Sequence, residues 1–212
     1  MKRSAKLKKG DKGDEGFSLN KFVYGNFKSS LKSLKKIKKY IIFSLILFFM
    51  SVIIGYSFPK IFEKQVLELI KQLIEQTKGL NSFELIAFII SNNIKSAFYG
   101  LVFGVFFAIV PAVILLVNGY VLGFVANKTV ASQSIFTLWR LTPHGVFEIP
   151  AILISIGFGI RLGLFLFIYN KKNKKKEFLE WLKEAARIFI FIVIPLLVIA
   201  GIIEGILIWV MS

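Results

Sequence analysis

Four ionisable side chains fall inside apolar runs of this chain: His144, Glu148, Arg161 and Glu204, with Asn118 as the main uncharged polar companion. A charged group in hydrocarbon is costly, so residues of this kind are functional candidates by default. His144 and Glu148 are four apart and would share one helix face, a pair that could ligate a metal. His144 is the single histidine, however, and the chain has no cysteine. That ligand set is incomplete, and no metal or cofactor is expected. The two glutamates could instead serve a proton or ion path. The favoured reading is a buried hydrogen-bond network that caps a helix start and fixes packing, because Pro143 and Gly145 shape the entry of the helix that carries Glu148. Enzyme chemistry finds little support. The chain has no H-E-x-x-H, no serine in a nucleophile-elbow context near His144 and no GK[ST] phosphate loop. No catalytic residue is assigned, and the chain is read as a non-enzyme.

The elements that must position these residues are helices in lipid. Apolar residues make up 56% of the 212 positions and mean hydropathy is +0.70. A water-soluble fold of this size could not hide so much apolar surface, whereas lipid removes the need to hide it. The expected fold is an all-α, polytopic transmembrane bundle of about five spans with amphipathic interfacial helices. Residues 1–17 read as a disordered basic tail. Ser18 is placed to cap an amphipathic cytoplasmic helix over 18–39, whose apolar positions Leu19, Phe22, Val23, Phe27, Leu31, Leu34 and Ile37 keep helical spacing beside a lysine face. The first span is expected at 40–58, ended by Pro59. Residues 61–78 form an amphipathic helix outside the hydrocarbon, with an apolar stripe through Val66, Ile70 and Leu73. The apolar stretch from Phe83 to Ala126 is too long for one span. A turn at Ile109–Pro111 divides it into spans of about 94–109 and 111–127, both short, the first able to extend upstream through 83. Spans at about 146–169 and 187–211 follow.

Basic charge fixes the expected orientation. Thirteen of the 28 Lys and Arg lie in the first 39 positions, and Lys171, Lys172, Lys174, Lys175 and Lys176 follow the fourth span. Five spans put both clusters on the cytoplasmic side, with the N-terminus inside and the C-terminus extracytoplasmic in a multi-pass cell-membrane protein. The expected partners of the basic face are membrane lipids with anionic head groups, not nucleic acid. From the outer loop, Arg140 could reach Glu148. Glu148 and Glu204 are expected at similar depth, with Arg161 nearer the inner side. Small residues recur four apart at Gly100, Gly104, Gly119, Gly123, Gly159, Gly163, Gly201 and Gly205. Such rows let helix backbones approach closely, within one chain or between copies. A homo-oligomer, dimer favoured, is the expectation.

The order Asn92-Asn93, Gly100 and Gly104, Asn118-Gly119 with Gly123, PHGVFEIPA at 143–151, the glycines of 157–163 and IIEG at 202–205 resembles the stage II sporulation protein M family. The resemblance covers about residues 20–211, and its most specific part is the block from Pro143 through His144, Gly145, Glu148 and Pro150. It implies a membrane scaffold, since sporulating members localise cell-wall hydrolases during engulfment. Many members occur in organisms that do not sporulate. The leading expectation is a non-enzymatic scaffold that recruits membrane or cell-envelope partners through its outer amphipathic helix or its basic cytoplasmic face. The alternative is a channel or transporter that uses Glu148 and Glu204.

Overall fold

A computed structural model describes residues 18–105, 109–132, 142–168 and 174–211. The tail 1–17, Trp139, Arg140 and Lys171–Lys172 lie outside the described residues. Seven α-helices follow in order: α1 (Leu19–Ser57), α2 (Glu63–Thr77), α3 (Ser82–Val102), α4 (Ile109–Ser132), α5 (Thr142–Ile168), α6 (Lys174–Ile188) and α7 (Ile194–Met211). No strand occurs among the described residues. Five helices are long and apolar enough to cross a membrane, α6 and α7 together supplying the last. The protein is a multi-pass, all-helical membrane protein.

Several helix bounds differ from the sequence expectation. The cytoplasmic helix and the first span are one unbroken 39-residue helix. No proline or glycine pair interrupts residues 38–41, so nothing breaks the hydrogen-bond ladder there. Its buried residues Ser30, Ser33, Ile37, Ser44, Phe48, Ser51 and Gly55 recur at three, four or seven residues, a single packed seam along the whole helix. The next helix is Ser82–Val102 rather than 94–109. It starts at Asn81, whose side chain accepts from the Glu84 N–H at 3.0 Å while the Glu84 carboxylate accepts from the Asn81 N–H at 2.8 Å. This capping box sets the start, in keeping with the expected extension of that span upstream through 83. The chain leaves α3 through a 3₁₀ turn at Phe103–Val105, so the break precedes Ile109–Pro111. Pro111 sits buried in the first turn of α4, where its missing N–H costs nothing. At 21 and 24 residues, neither middle helix is short. A π-helical segment, Phe189–Val193, joins α6 to α7 without a break, and Pro195 follows it at the second position of α7.

Glycine decides how these helices pack. A Cβ on Gly55 would overlap the Tyr120 carbonyl, one on Gly123 the Val52 carbonyl, and one on Gly119 would lie 2.7 Å from the Phe48 oxygen. Backbone therefore meets backbone along α1 and α4, which run parallel. The Ser51 hydroxyl donates to the Leu116 carbonyl at 2.6 Å within the same seam. A second group forms around α3. Gly100 and Gly104 pack on Ile156 and Gly159 of α5, while Gly201 and Gly205 of α7 receive the side chains of Ile90 and Ile86. The Ser155 hydroxyl donates to the Ala97 carbonyl at 2.6 Å. The glycine rows are thus taken up within the chain, Gly163 being buried as well. α5 is buried without interruption from Ala151 to Gly163 and forms the axis of the bundle.

At the lysine-rich end, Arg161 projects from α5 away from the other polar residues of its motif. It is only 7% exposed. Its guanidinium lies 3.3 Å from the Glu184 carboxylate and stacks 3.8 Å from the Trp181 ring centroid. Lys36 of α1 pairs with the same carboxylate. Three elements are therefore tied at one point.

Gly123→Ala is expected to lower stability by about 1–3 kcal/mol, because the added methyl meets a carbonyl rather than a movable side chain. Gly25→Ala, with nothing within 4 Å of its Cβ, is expected to raise it by up to ~1 kcal/mol through helix propensity. Glu184→Ala strands the buried Arg161 and is expected to cost about 2 kcal/mol, reduced by the solvent that reaches Lys36. Thermal unfolding of the purified variants in one detergent measures all three.

Candidate functional site

The α1–α4 pair and the α3–α5–α7 group diverge toward the end of the bundle that carries Pro59. Between them lies an open cavity of about 540 Å³. Every spanning helix contributes to its wall: Phe48 of α1, Asn92 and Asn93 of α3, Asn118 of α4, Gly145 and Glu148 of α5, and Glu204 of α7. The rest of the wall is apolar, with Leu85, Phe88, Ile89, Leu122, Val125 and Ile149 prominent. No lysine or arginine belongs to the described lining.

Helix pairing gives the relative heights of these residues. Ser155 is level with Ala97, and α3 and α5 run in the same direction, so Glu148 lies within about a turn of Asn92 and Asn93. Asn118 adjoins Gly119, which packs on Phe48, midway along the apolar half of α1. Three amides and one carboxylate thus share the middle of the bundle. Glu204 stands beside Gly205, which is level with Ile86. That puts Glu204 roughly 5 Å nearer the Pro59 end than Glu148, and roughly 8 Å nearer than Asn92 and Asn93, at a 1.5 Å rise per residue. Glu148 and Glu204 both line the cavity. Below this level Ile152 and Leu153 of α5 close the cavity, at the start of the stretch in which α5 is buried.

Local sequence explains how each group comes to face the cavity. Asn118 anchors its amide by donating to the Ile114 carbonyl at 2.7 Å, which leaves its side-chain oxygen and one N–H to face other partners. Pro150 stands inside α5. It has no N–H for the Val146 carbonyl, which frees one helix acceptor a half-turn from Glu148. Among the described residues no group of three His, Cys, Asp or Glu comes together. Pro143 and His144 form the first turn of α5, and their side chains lie outside the described residues.

One side of the cavity is closed by α2. Its apolar face presents Ile70, Leu73, Ile74 and Thr77 to the space, while its charged face points away. The helix is fastened at its first half. Val66 packs with Tyr120 and Phe124. The Tyr120 hydroxyl donates to the Phe58 carbonyl at 2.8 Å and accepts from the Phe62 N–H at 3.2 Å. Lys128 pairs with Glu63 at 2.6 Å and holds that carboxyl below the ordinary carboxylate range. The far end of α2 runs into Gly79, whose φ of +83° only glycine adopts without strain.

Of the polar residues singled out by type and spacing, Asn92, Asn93, Asn118, Gly145, Glu148 and Glu204 converge here, and Arg161 does not. Its place is the Glu184–Lys36 cluster at the opposite end. Sequence reasoning missed Tyr120, Glu184 and the apolar cavity wall. Tyr120 follows Asn118-Gly119 directly, but a tyrosine in an apolar helix gives no sign of which turn its hydroxyl will fasten.

The family model for stage II sporulation protein M matches residues 44–207, a stretch that contains every polar residue of the cavity. Uncharacterized protein MJ0706 of Methanocaldococcus jannaschii is 29% identical over 197 residues, 85% of this chain and 86% of that protein. Uncharacterized protein MJ0793 of the same organism is 32% identical over 123 residues, 55% of this chain and 66% of that protein. No solved structure matches. With a match from the middle of α1 to the end of α7, the chain belongs to the stage II sporulation protein M family.

Proposed function

We propose that this protein is a non-enzymatic membrane protein of the channel or transporter class, which admits a solute from the extracytoplasmic side to a binding site at the membrane midplane. The observation that carries the reading is the convergence of Asn92, Asn93, Asn118, Glu148 and Glu204 on one open cavity at the centre of five helices. Polar groups at mid-depth between packed helices are where membrane carriers hold their solutes. The basic residues of α1 and of the segment after α5 support a cytoplasmic lysine-rich end in this reading. The cavity mouth, α2 and both chain ends of α4–α5 then face outward, and the tightly packed inner half of α5 separates the site from the cytoplasm.

A second reading, the scaffold, draws support from a different surface. Val23, Tyr24, Phe27 and Leu31 of α1 stand exposed beside Lys21, Lys28, Lys32 and Lys35, an amphipathic face suited to anionic lipid or a partner protein. A scaffold would recruit through that face or through α2. Self-association would also use such outer surfaces, because the glycine rows already serve contacts inside the chain.

The protein contains no cysteine, so single cysteines report access cleanly. Asn118→Cys and Thr77→Cys are expected to react with a membrane-impermeant thiol reagent added outside cells, and Ser155→Cys to stay unmodified. Labelling from the cytoplasmic side alone would reverse the orientation. In proteoliposomes, wild-type protein is expected to pass small solutes above the protein-free rate, with Glu148→Gln and Glu204→Gln each lowering the rate at least tenfold. Flux equal to empty liposomes across amino acids, organic cations and protons, together with co-purification of a stoichiometric partner, would favour the scaffold instead.

A further inference from the structure

We infer that the groove between α3 and α6, at the lysine-rich end of the bundle, is a binding site for one anionic membrane lipid. A hydrocarbon chain of the lipid lies in the groove, and its phosphate head group is held by Lys183 and Arg187 of α6 and by Lys95 of α3. The site is separate from the central cavity and independent of its reading as a solute site.

The groove is apolar throughout. Leu101 of α3, Leu162 of α5 and Phe189 are its buried floor, and Phe98, Ala186 and Ile190 belong to its walls, around a volume of about 190 Å³. The walls are open, with Phe98 45% and Ile190 55% exposed. Ile190 lies in the π-helical turn Phe189–Val193, a feature that concentrates at functional sites. Helix pairing gives the depth. α3 runs antiparallel to the α6–α7 segment, with Phe98 on Phe189 at 5.7 Å and Ile90 on Gly201, and Phe98 stands about one turn from the end of α3 at Val102. No lining side chain offers water a hydrogen bond, so the groove takes hydrocarbon rather than water. Left empty, its lining would forfeit contacts on one side.

Apolar walls select a chain, and the rim selects its head group. Lys183 and Arg187 are four apart on α6, and Ile190 follows three residues later, so both cations share the stripe that carries a groove wall. On α3 the residues Lys95, Phe98 and Val102 keep the same kind of spacing, which sets Lys95 on the opposite rim. Lys95 is the single basic residue of α3 and stands exposed within an apolar span. A lysine in that position keeps its stem in hydrocarbon and carries its ammonium to the polar boundary. Arg187 lies roughly 3 Å, and Lys183 roughly 9 Å, from Phe189 toward the lysine-rich end at a 1.5 Å rise per residue. That is the head-group side of the groove. None of the three cations has an ion pair among the described residues, whereas Arg161 and Lys36 are matched by Glu184. Glu180, one turn before Lys183, offsets one of the three charges and leaves the rim basic. A phosphate diester suits it, because a guanidinium binds phosphate oxygens through two parallel N–H donors and an ammonium supplies a compact charge beside it.

The experiment is native mass spectrometry of the full chain, released from detergent micelles that hold equimolar phosphatidylglycerol and phosphatidylcholine with the same acyl chains. The expected result is a single phosphatidylglycerol retained per chain, at least fivefold over phosphatidylcholine. Lys183→Gln combined with Arg187→Gln is expected to abolish the preference, and Lys95→Gln to lower retention at least threefold. Ala186→Trp fills the groove without altering a charge and is expected to exclude the lipid. Lys28→Gln combined with Lys32→Gln, on the exposed face of α1, is expected to leave retention unchanged. The comparison of lipids on wild-type protein needs no variant, so a misfolded mutant cannot obscure it. Equal retention of the two lipids would show an apolar groove without head-group selection and would overturn the inference. So would retention of neither lipid, or several phosphatidylglycerol molecules held with no plateau at one, the mark of diffuse attraction. A preference that survives Ala186→Trp, or that the α1 pair abolishes and the α6 pair does not, would place the lipid elsewhere and overturn it as well.

Discussion

Everything in this bundle depends on how near two helix backbones can come, and glycine sets that distance. In lipid, apolar side chains gain little by leaving the hydrocarbon, so helices associate through close van der Waals contact. Gly55, Gly119 and Gly123 bring α1 and α4 together until carbonyl oxygens occupy the space where Cβ atoms would stand. Gly104 and Gly159 do the same for α3 and α5. Between the α1–α4 pair and the α3–α5–α7 side such glycine contacts occur toward the lysine-rich end, at Gly157 and Gly159. The cavity is the space that the two helix groups leave between them toward the other end.

The two ends of that space differ for a stated reason. Near the lysine-rich end the groups are joined, because Gly157 of α5 meets Ile41 of α1 and Gly159 meets Pro111 of α4. Toward Pro59 the facing positions hold Phe48, Leu122, Ile149 and Ile152, too bulky for backbones to touch. The amides and carboxylates occur in this wider half. Their placement relieves a physical conflict, since a polar group sealed between close helices would lose its hydration without replacement. α2 then covers the wider half from the side, fastened at one end by Tyr120 and Glu63 and running at the other into the positive-φ turn at Gly79.

The number of apolar crossings was legible from hydropathy, and so was the amphipathic character of α2. Their arrangement was only partly so. Residues 18–57 look like two elements because polarity changes at Tyr40, yet helix continuity is a backbone property, and the Ser30–Gly55 seam runs straight through the change. The span placed at about 94–109, able to extend upstream through 83, proved to be an uninterrupted helix that starts at the Asn81–Glu84 capping box. The glycine rows announced close packing without naming a partner helix. Spacing along one helix records which residues share a face. It does not record which face of which other helix lies opposite, and the cavity consists of that second kind of information.

Arg161 marks the difference between a polar residue that holds a fold and one that offers a site. Both it and Glu148 sit on α5, about three and a half turns apart by helical pitch, and both look alike as charges in an apolar run. Around Arg161 the structure closes: Glu184 neutralises it, Trp181 covers its guanidinium face, and Lys36 balances the second oxygen of the carboxylate. Such a cluster has no valence left for a ligand, and its consequence is mechanical, tying α1, α5 and α6 together. Around Glu148 the described residues supply another acid, amides and open volume, with no cation in the wall. The step from a polar motif to a binding site rests on this contrast, because the same helix shows, about three and a half turns away, a buried charge paired within the fold.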